Sequence, residues 1–133
     1  MASLHSPLRY PGGKRRLLGF AAQILKDHRL RPRLLVEPFC GGASVSIGLL
    51  EQDLVEQIGL ADADPLIGAL WRIIFSEEAP RLARWLRTAE VSLSEWDRWH
   101  CMDPMDDLTL AKKCLFLNRT SFSGILHERA GPL

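Results

Sequence analysis

Two glycine-bearing segments and the carboxylates beside them carry the residue spacing from which chemistry can be read. Pro7 to Lys14 runs PLRYPGGK, and Val36 to Val45 runs VEPFCGGASV, with Glu37 just ahead of paired glycines. Asp62 follows in IGLADADPL. Glycine has no β-carbon to hold a ligand away and accepts the positive φ of tight turns, so Gly41 and Gly42 let a bound molecule approach backbone amides. Either segment alone also reads as an ordinary turn. Together, with an acid where a second parallel strand ends, they read as the ligand-binding end of a nucleotide-type fold.

Cys40 lies inside the second segment, but no histidine at base spacing accompanies it, so a nucleophilic thiol is not expected. Cys40, Cys101 and Cys114 are odd in number and widely spaced, which suits reduced thiols better than a disulfide frame or a zinc site. No metal is expected.

The elements that must position these groups are legible from periodicity. From Lys14 to His28, Leu17, Leu18, Ala21, Ile24 and Leu25 recur at helical spacing. Arg33 to Glu37 is a short apolar run ending in a carboxylate and Pro38, which predicts a fully buried strand of a parallel sheet. Ala43 to Glu51 predicts a helix and Gln57 to Asp62 a second strand, giving a strand, helix, strand unit with a right-handed crossover. Pro65 opens a helix with Leu66, Ile67, Leu70, Ile73 and Ile74 inward. Ser76, with Glu77 and Glu78, is expected to cap the next helix, and Ser94 a further one holding Trp96 and Trp99. Asp106 and Asp107 start a last helix that runs into Asn118 and Arg119, followed by a polar loop containing glycine.

Composition sets outer bounds. With 133 residues, 47% hydrophobic and 25% charged, the chain fits one small folded domain rather than a disordered tail. Its apolar runs are too short or too charged for a membrane span, and MASLHSPLRY lacks the apolar core of a signal peptide, so a cytoplasmic location without membrane contact is expected. The net charge of +1 hides an uneven distribution. Residues 1 to 33 hold eight basic groups against Asp27 alone, residues 34 to 107 are acidic, and the stretch from Leu108 is basic again. Basic ends fit nucleic acid contact, although solvated helix faces look alike at this level.

Ligand chemistry narrows the choice. G-x-G-x-x-G is absent after the first strand, which argues against NAD, and Gly12-Gly13-Lys14-Arg15 lacks the preceding strand and the hydroxyl residue of an ATP loop. An acid closing the first strand and another closing the second suit a ligand with positive charge and hydroxyls. S-adenosylmethionine is one: its amino and sulfonium groups favour a nearby carboxylate, and its ribose hydroxyls can donate to Asp62.

Four segments in order, PLRYPGGK, VEPFCGGASV, LADADPL and FLNRTSFSGILHER, make the chain resemble the Dam-like family of DNA adenine-N6 methyltransferases from Pro7 to about Arg129. The resemblance implies an α/β architecture: a partial Rossmann-like, S-adenosylmethionine-dependent methyltransferase fold followed by the helical start of a DNA-recognition region. Residues 1–75 would form the donor-binding part and 76–133 the helical segment. Tyr10 would offer the donor an aromatic face and Lys14 a charge for its carboxylate. Glu37, Phe39 and Gly41 match the family's loop after the first strand, and Asp62 matches the acid that holds the ribose. These groups are expected to converge on one ligand. Asn118 and Arg119 match the Asn-Arg pair that begins the DNA-binding region, with Phe122 placed to press on unstacked bases and His127 and Arg129 close behind. Double-stranded DNA is the implied partner, in DNA methylation of the restriction-modification kind.

Two departures stand out. The family's Asp-Pro-Pro-Tyr tetrad is absent: Asp103-Pro104-Met105-Asp106 lacks the aromatic and comes before the Asn-Arg pair, so it reads as a turn leading into a helix. No catalytic residue is therefore assigned, and the chain is expected to be an amino-terminal part, inactive alone, whose missing carboxy-terminal half would cover an open sheet edge. His127 also stands where a guanine-reading arginine is expected, which weakens a GATC preference. Two other readings remain: a noncatalytic module that binds S-adenosylmethionine or DNA, and an unrelated helical protein with chance glycine motifs.

Overall fold

The computed structural model describes residues 6–9, 14–127 and 130–133. Tyr10 and Arg129 lie outside the described residues. The chain forms two compact units, one within 1–7 and 12–62, the other within 8–11 and 63–133.

In the first unit a 3₁₀ turn, Lys14–Arg16, leads into α1, Leu17–Asp27. The inward side of α1 carries Leu18, Ala21, Ala22 and Leu25, which pack with Leu49, Val55, Leu35 and Ile58 into one apolar cluster. Gly48 of α2, Ser44–Glu51, permits that packing, because a β-carbon there would collide with Leu18. β1, Leu35–Glu37, and β2, Ile58–Leu60, are parallel, with Leu35 opposite Ile58 and Glu37 opposite Leu60. Bonds from Ala61 N to Glu37 O (3.0 Å) and from Cys40 N to Ala61 O (2.9 Å) extend the ladder into the loops. Glu37 and Asp62 consequently stand at neighbouring strand ends.

The expectation of a fully buried first strand is overturned: Leu34 is 56% exposed and Val36 58%. Side chains alternate faces along a strand. Leu35 and Ile58 join the cluster beneath α1 and α2, whereas Leu34 and Val36 share the opposite face with Gly59, which offers no side chain. The described residues form a mixed architecture with a two-stranded parallel sheet.

The second unit is helical. α3, Pro65–Ile74, buries Leu66, Ile67, Ala69, Leu70, Trp71 and Ile73, and packs chiefly on α6, Asp107–Thr120. That packing groups α3 with the helices of the second unit. Between them lie α4, Ala79–Thr88, and α5, Leu93–Cys101. Trp85 meets Trp99 edge-on at 5.4 Å, Trp99 lies 5.9 Å from Phe116, and the Trp96 indole N–H donates to Ser121 Oγ at 3.0 Å.

Helix starts follow side-chain capping. Asp64 accepts from Leu66 N just ahead of Pro65, and Asp106 accepts from Thr109 N. The Thr109 donors hold the Asp106 carboxyl below the usual range. Two expected caps move. Ser92, not Ser94, caps α5 by accepting from Glu95 N, because Ser92-Leu93-Ser94-Glu95 puts an acid three residues after the extended serine. Ser76 closes a turn instead, donating to Ile73 O and accepting from Glu78 N, while Glu78 occupies the cap position of α4. Asp103 and Pro104 do lie in an irregular turn ahead of α6.

Candidate functional site

The strand ends of the first unit collect five of the residues singled out from sequence. Glu37 closes β1 and is held from two sides. Ser46, fully buried in α2, donates its hydroxyl to Oε2 at 2.5 Å and its backbone N–H at 3.3 Å. The Lys14 ammonium lies 3.2 Å from Oε1 and donates to the Phe39 carbonyl at 2.5 Å. Lys14 is thereby fixed against the loop after β1, with 41% of its side chain still exposed.

Gly41 adopts φ 47°, a left-handed conformation that costs glycine little, and this aims its N–H at Asp62 Oδ2, 2.8 Å away. Ala43, two residues on, is also left-handed at φ 50° and nearly fully buried. An alanine held there stores strain on the order of 1 kcal/mol, which the surrounding packing must sustain. Phe39 exposes its ring, 73% accessible, beside these groups. Lys14, Glu37, Phe39, Gly41 and Asp62 thus form one linked set, and Tyr10 falls outside the described residues.

The set is electronegative. Burial, then Asp62, then Glu37 push the Cys40 thiol up to about 11, so at neutral pH it is a protonated, buried thiol and no nucleophile, as the sequence implies. The same carboxylates that disfavour a thiolate favour a cation and can accept from hydroxyls. Amide N–H, carboxylate, ammonium and aromatic face together fit the amino, hydroxyl, carboxyl and ring groups of an adenosyl amino acid. No group of three metal-ligating side chains occurs among the described residues.

The second unit holds the remaining candidates, and they differ in environment. Asn118 is 1% exposed and its amide works entirely inside the unit. Its Oδ1 accepts from Arg9 N at 2.7 Å, and its Nδ2 donates to Arg9 O at 2.7 Å and to Gly124 O at 2.9 Å. Gly124 is left-handed at φ 70°, and a β-carbon there would sit 2.6 Å from Arg9 O. Asn118 is therefore a clamp that fixes the turn Phe122–Gly124 against the backbone of Arg9. Beyond the clamp, Arg119 is exposed at the end of α6, and Phe122 is 66% exposed at the turn. Residues 130–133 run back beside this turn, with Phe122 N donating to Gly131 O at 3.0 Å and Leu133 N to Thr120 O at 2.9 Å.

His127 is exposed and its Nε2 lies 2.7 Å from Asp64 Oδ2. An ionised carboxylate only accepts, so the proton of that bond sits on Nε2. His127 borders a cleft of about 560 Å³ whose wall includes Pro65, Leu66 and Lys113. Lys113 spends its ammonium on the backbone carbonyls of His100 and Met102 at the end of α5. Arg129 lies outside the described residues.

Three functional contacts escaped the sequence. Ser46 is a strong partner of Glu37, and its position in the first turn after the glycine loop was the available signal. Asp64 serves both as helix cap and as the partner of His127, of which only the cap was legible, from Asp64-Pro65. The Asn118 clamp joins residues 109 apart in sequence.

Residues 10–129 match the family model described as D12 class N6 adenine-specific DNA methyltransferase. Neither a curated protein nor a solved structure matches the chain.

Proposed function

The chain belongs to the D12 class of N6 adenine-specific DNA methyltransferases, and from that membership we propose that it is the portion that holds S-adenosylmethionine at the strand ends of a Rossmann-like sheet and begins the surface for duplex DNA. The observation that carries this reading is the juxtaposition of Glu37 and Asp62 at the ends of adjacent parallel strands, with the left-handed Gly41 amide bonded to Asp62. Ligands of open α/β sheets sit at that edge.

In this reading Asp62 accepts from the ribose hydroxyls, while Glu37 and Lys14 receive the amino and carboxyl ends of the methionine moiety. Phe39 and Tyr10 supply apolar faces. Once bound, S-adenosylmethionine supplies a methyl group on a sulfonium, ready for attack by the adenine amine. The protein's part is orientation: a nucleophile and methyl held in line gain several kcal/mol from proximity alone, roughly 7–11 in the best intramolecular cases. Arg119 meets a phosphate, Phe122 stacks on an unpaired base, and His127 and Arg129 border the same DNA. Asn118 serves DNA from inside, by fixing the turn that presents Phe122. The cell compartment in this reading is the cytoplasm, and among the described residues no helix is long and apolar enough to cross a membrane.

These 133 residues contain no Asp-Pro-Pro-Tyr to accept the amine's hydrogens. We therefore expect binding without turnover from this polypeptide alone, with a carboxy-terminal half as the partner that completes the site. Equilibrium dialysis with methyl-labelled S-adenosylmethionine tests both parts. Saturable binding displaced by S-adenosylhomocysteine, with no label passing to adenine in added duplex, is the expected result. A lack of saturable binding refutes the donor site, and label in adenine refutes the claim of inactivity.

A further inference from the structure

On the reading that this chain meets duplex DNA, we propose that the outer face of α4 is a second contact surface for the phosphate backbone, one that adds affinity without reading bases. The sequence of this helix, A-P-R-L-A-R-W-L-R-T, contains three arginines and no acid. Arg81, Arg84 and Arg87 are spaced three apart, so each is turned about 60° from the last and all three fall within an arc of about 120°. That arc is on the solvent side, since Leu82 is buried and Trp85 faces Trp99, while all three arginines are exposed.

The arginines of this chain are not alike in their company. Arg31 pairs with Asp53, Arg72 with Asp107, and Arg98 with Glu95. Arg81 pairs with Glu78. Arg84 and Arg87 have no carboxylate within ion-pair distance among the described residues. Two unneutralised guanidinium groups on one short helix repel each other weakly and gain from an external anion.

A second helix brings positive charge to the same border. The Lys112 ammonium lies 5.8 Å from the centre of the Trp85 ring, so α6 places a cation at the flank of α4 that carries Trp85, beside the arginine arc. Arg119 is seven residues further along α6, two turns on and on the same face within about 20°. Arg84 and Arg87 on α4, and Lys112 and Arg119 on α6, thus belong to two helices linked through the rings of Trp85, Trp99 of α5, and Phe116. A run of cations across packed helices fits the regularly spaced charges of a duplex.

Anisotropy of a fluorescent duplex, titrated across a range of salt with the 133-residue chain and with Arg84→Gln/Arg87→Gln, tests the proposal. Each lost phosphate contact flattens the slope of log K against log salt by about 0.9, so the double variant should lose about 1.8. Both substitutions are at exposed helical positions, and unchanged circular dichroism will show that α4 persists. Retention of the full slope by the variant overturns the α4 surface while leaving DNA binding intact. If the parent chain itself does not bind duplex, the DNA reading and this surface both fail. If the variant loses affinity for polyglutamate but keeps the full slope on DNA, the face belongs to an acidic protein and the proposal is overturned.

Discussion

Replacing Asn118 by alanine should destabilise the helical unit by about 2–4 kcal/mol. The side chain is 1% exposed and makes three hydrogen bonds, to both backbone groups of Arg9 and to Gly124 O. Its removal leaves the buried Gly124 carbonyl without that donor, at a cost of about 1–3 kcal/mol for an unsatisfied buried group. The Arg9 groups are nearer solvent and recover part of their loss in water, which adds about 1 kcal/mol together with the small void. All four tryptophans, Trp71, Trp85, Trp96 and Trp99, lie in this unit, so urea unfolding followed by indole fluorescence reads it directly. With a slope of about 2 kcal/mol per molar urea, the midpoint should fall by about 1–2 M. Asn118→Asp sharpens the test, because it keeps the acceptor for Arg9 N but sets a carboxylate against two carbonyls. The introduced acid has a folded-state pKa above its unfolded value of about 3.9, so its protonated, donating form is favoured by folding. Stability then falls as pH rises through the raised value and returns on acidification. A midpoint change below about 0.3 M for alanine, or no recovery of the aspartate variant at low pH, refutes the clamp.

Three further outcomes follow from the same geometry. Iodoacetamide at pH 8 should modify exposed Cys101 first, with Cys40 and Cys114 protected, and rapid alkylation of Cys40 in the folded chain would contradict its raised pKa and burial. Arg72 hydrogen-bonds Asp107 through two nitrogens and holds its carboxyl below the ordinary value of 3.8. A depressed acid contributes above its unfolded pKa and loses that contribution as pH falls through the folded one, so Arg72→Gln should cost about 0.5 kcal/mol at pH 7 in urea melts and almost nothing once the pH lies below the lowered folded value. Gly124→Ala combines φ 70° with a clash against Arg9 O, and a loss of about 2 kcal/mol or more is expected by the same fluorescence assay.

Helices were legible wherever a period of 3.6 coincided with strong apolar residues, as in Pro65–Ile74, where Leu66, Ile67, Leu70 and Ile73 of the expected inward set are buried, Ile74 is half-buried, and Ala69 and Trp71 are buried in addition. Local capping was legible in kind but not in position: Ser92 and Ser94 both stand near the start of an apolar-bearing helix, and only the extended backbone at Ser92 with Glu95 three residues on decides between them. Burial of the first strand was misjudged because an apolar run gives no count of the layers that cover it, and Val36 faces away from α1 and α2. At the site, Glu37, Gly41 and Asp62 were readable from the order of strand, loop and strand, since the ladder alone brings their backbones together. Lys14 was legible as a charge beside this loop, but its contacts with Glu37 and the Phe39 carbonyl, 23 and 25 residues on, were not. Asn118 and His127 illustrate the limit. Their partners, Arg9 and Asp64, lie 109 and 63 residues away, a distance over which no local pattern carries information.

The central claim is that the methyl donor occupies the strand ends of the first unit. ¹⁵N–¹H correlation spectra of the chain titrated with S-adenosylmethionine locate it without reliance on turnover. The account predicts saturable shifts at the amides of Phe39, Gly41 and Asp62, lost in Asp62→Ala, with α3 to α6 undisturbed. Shifts confined to residues 79–127, or spectra unchanged at saturating ligand, would contradict it.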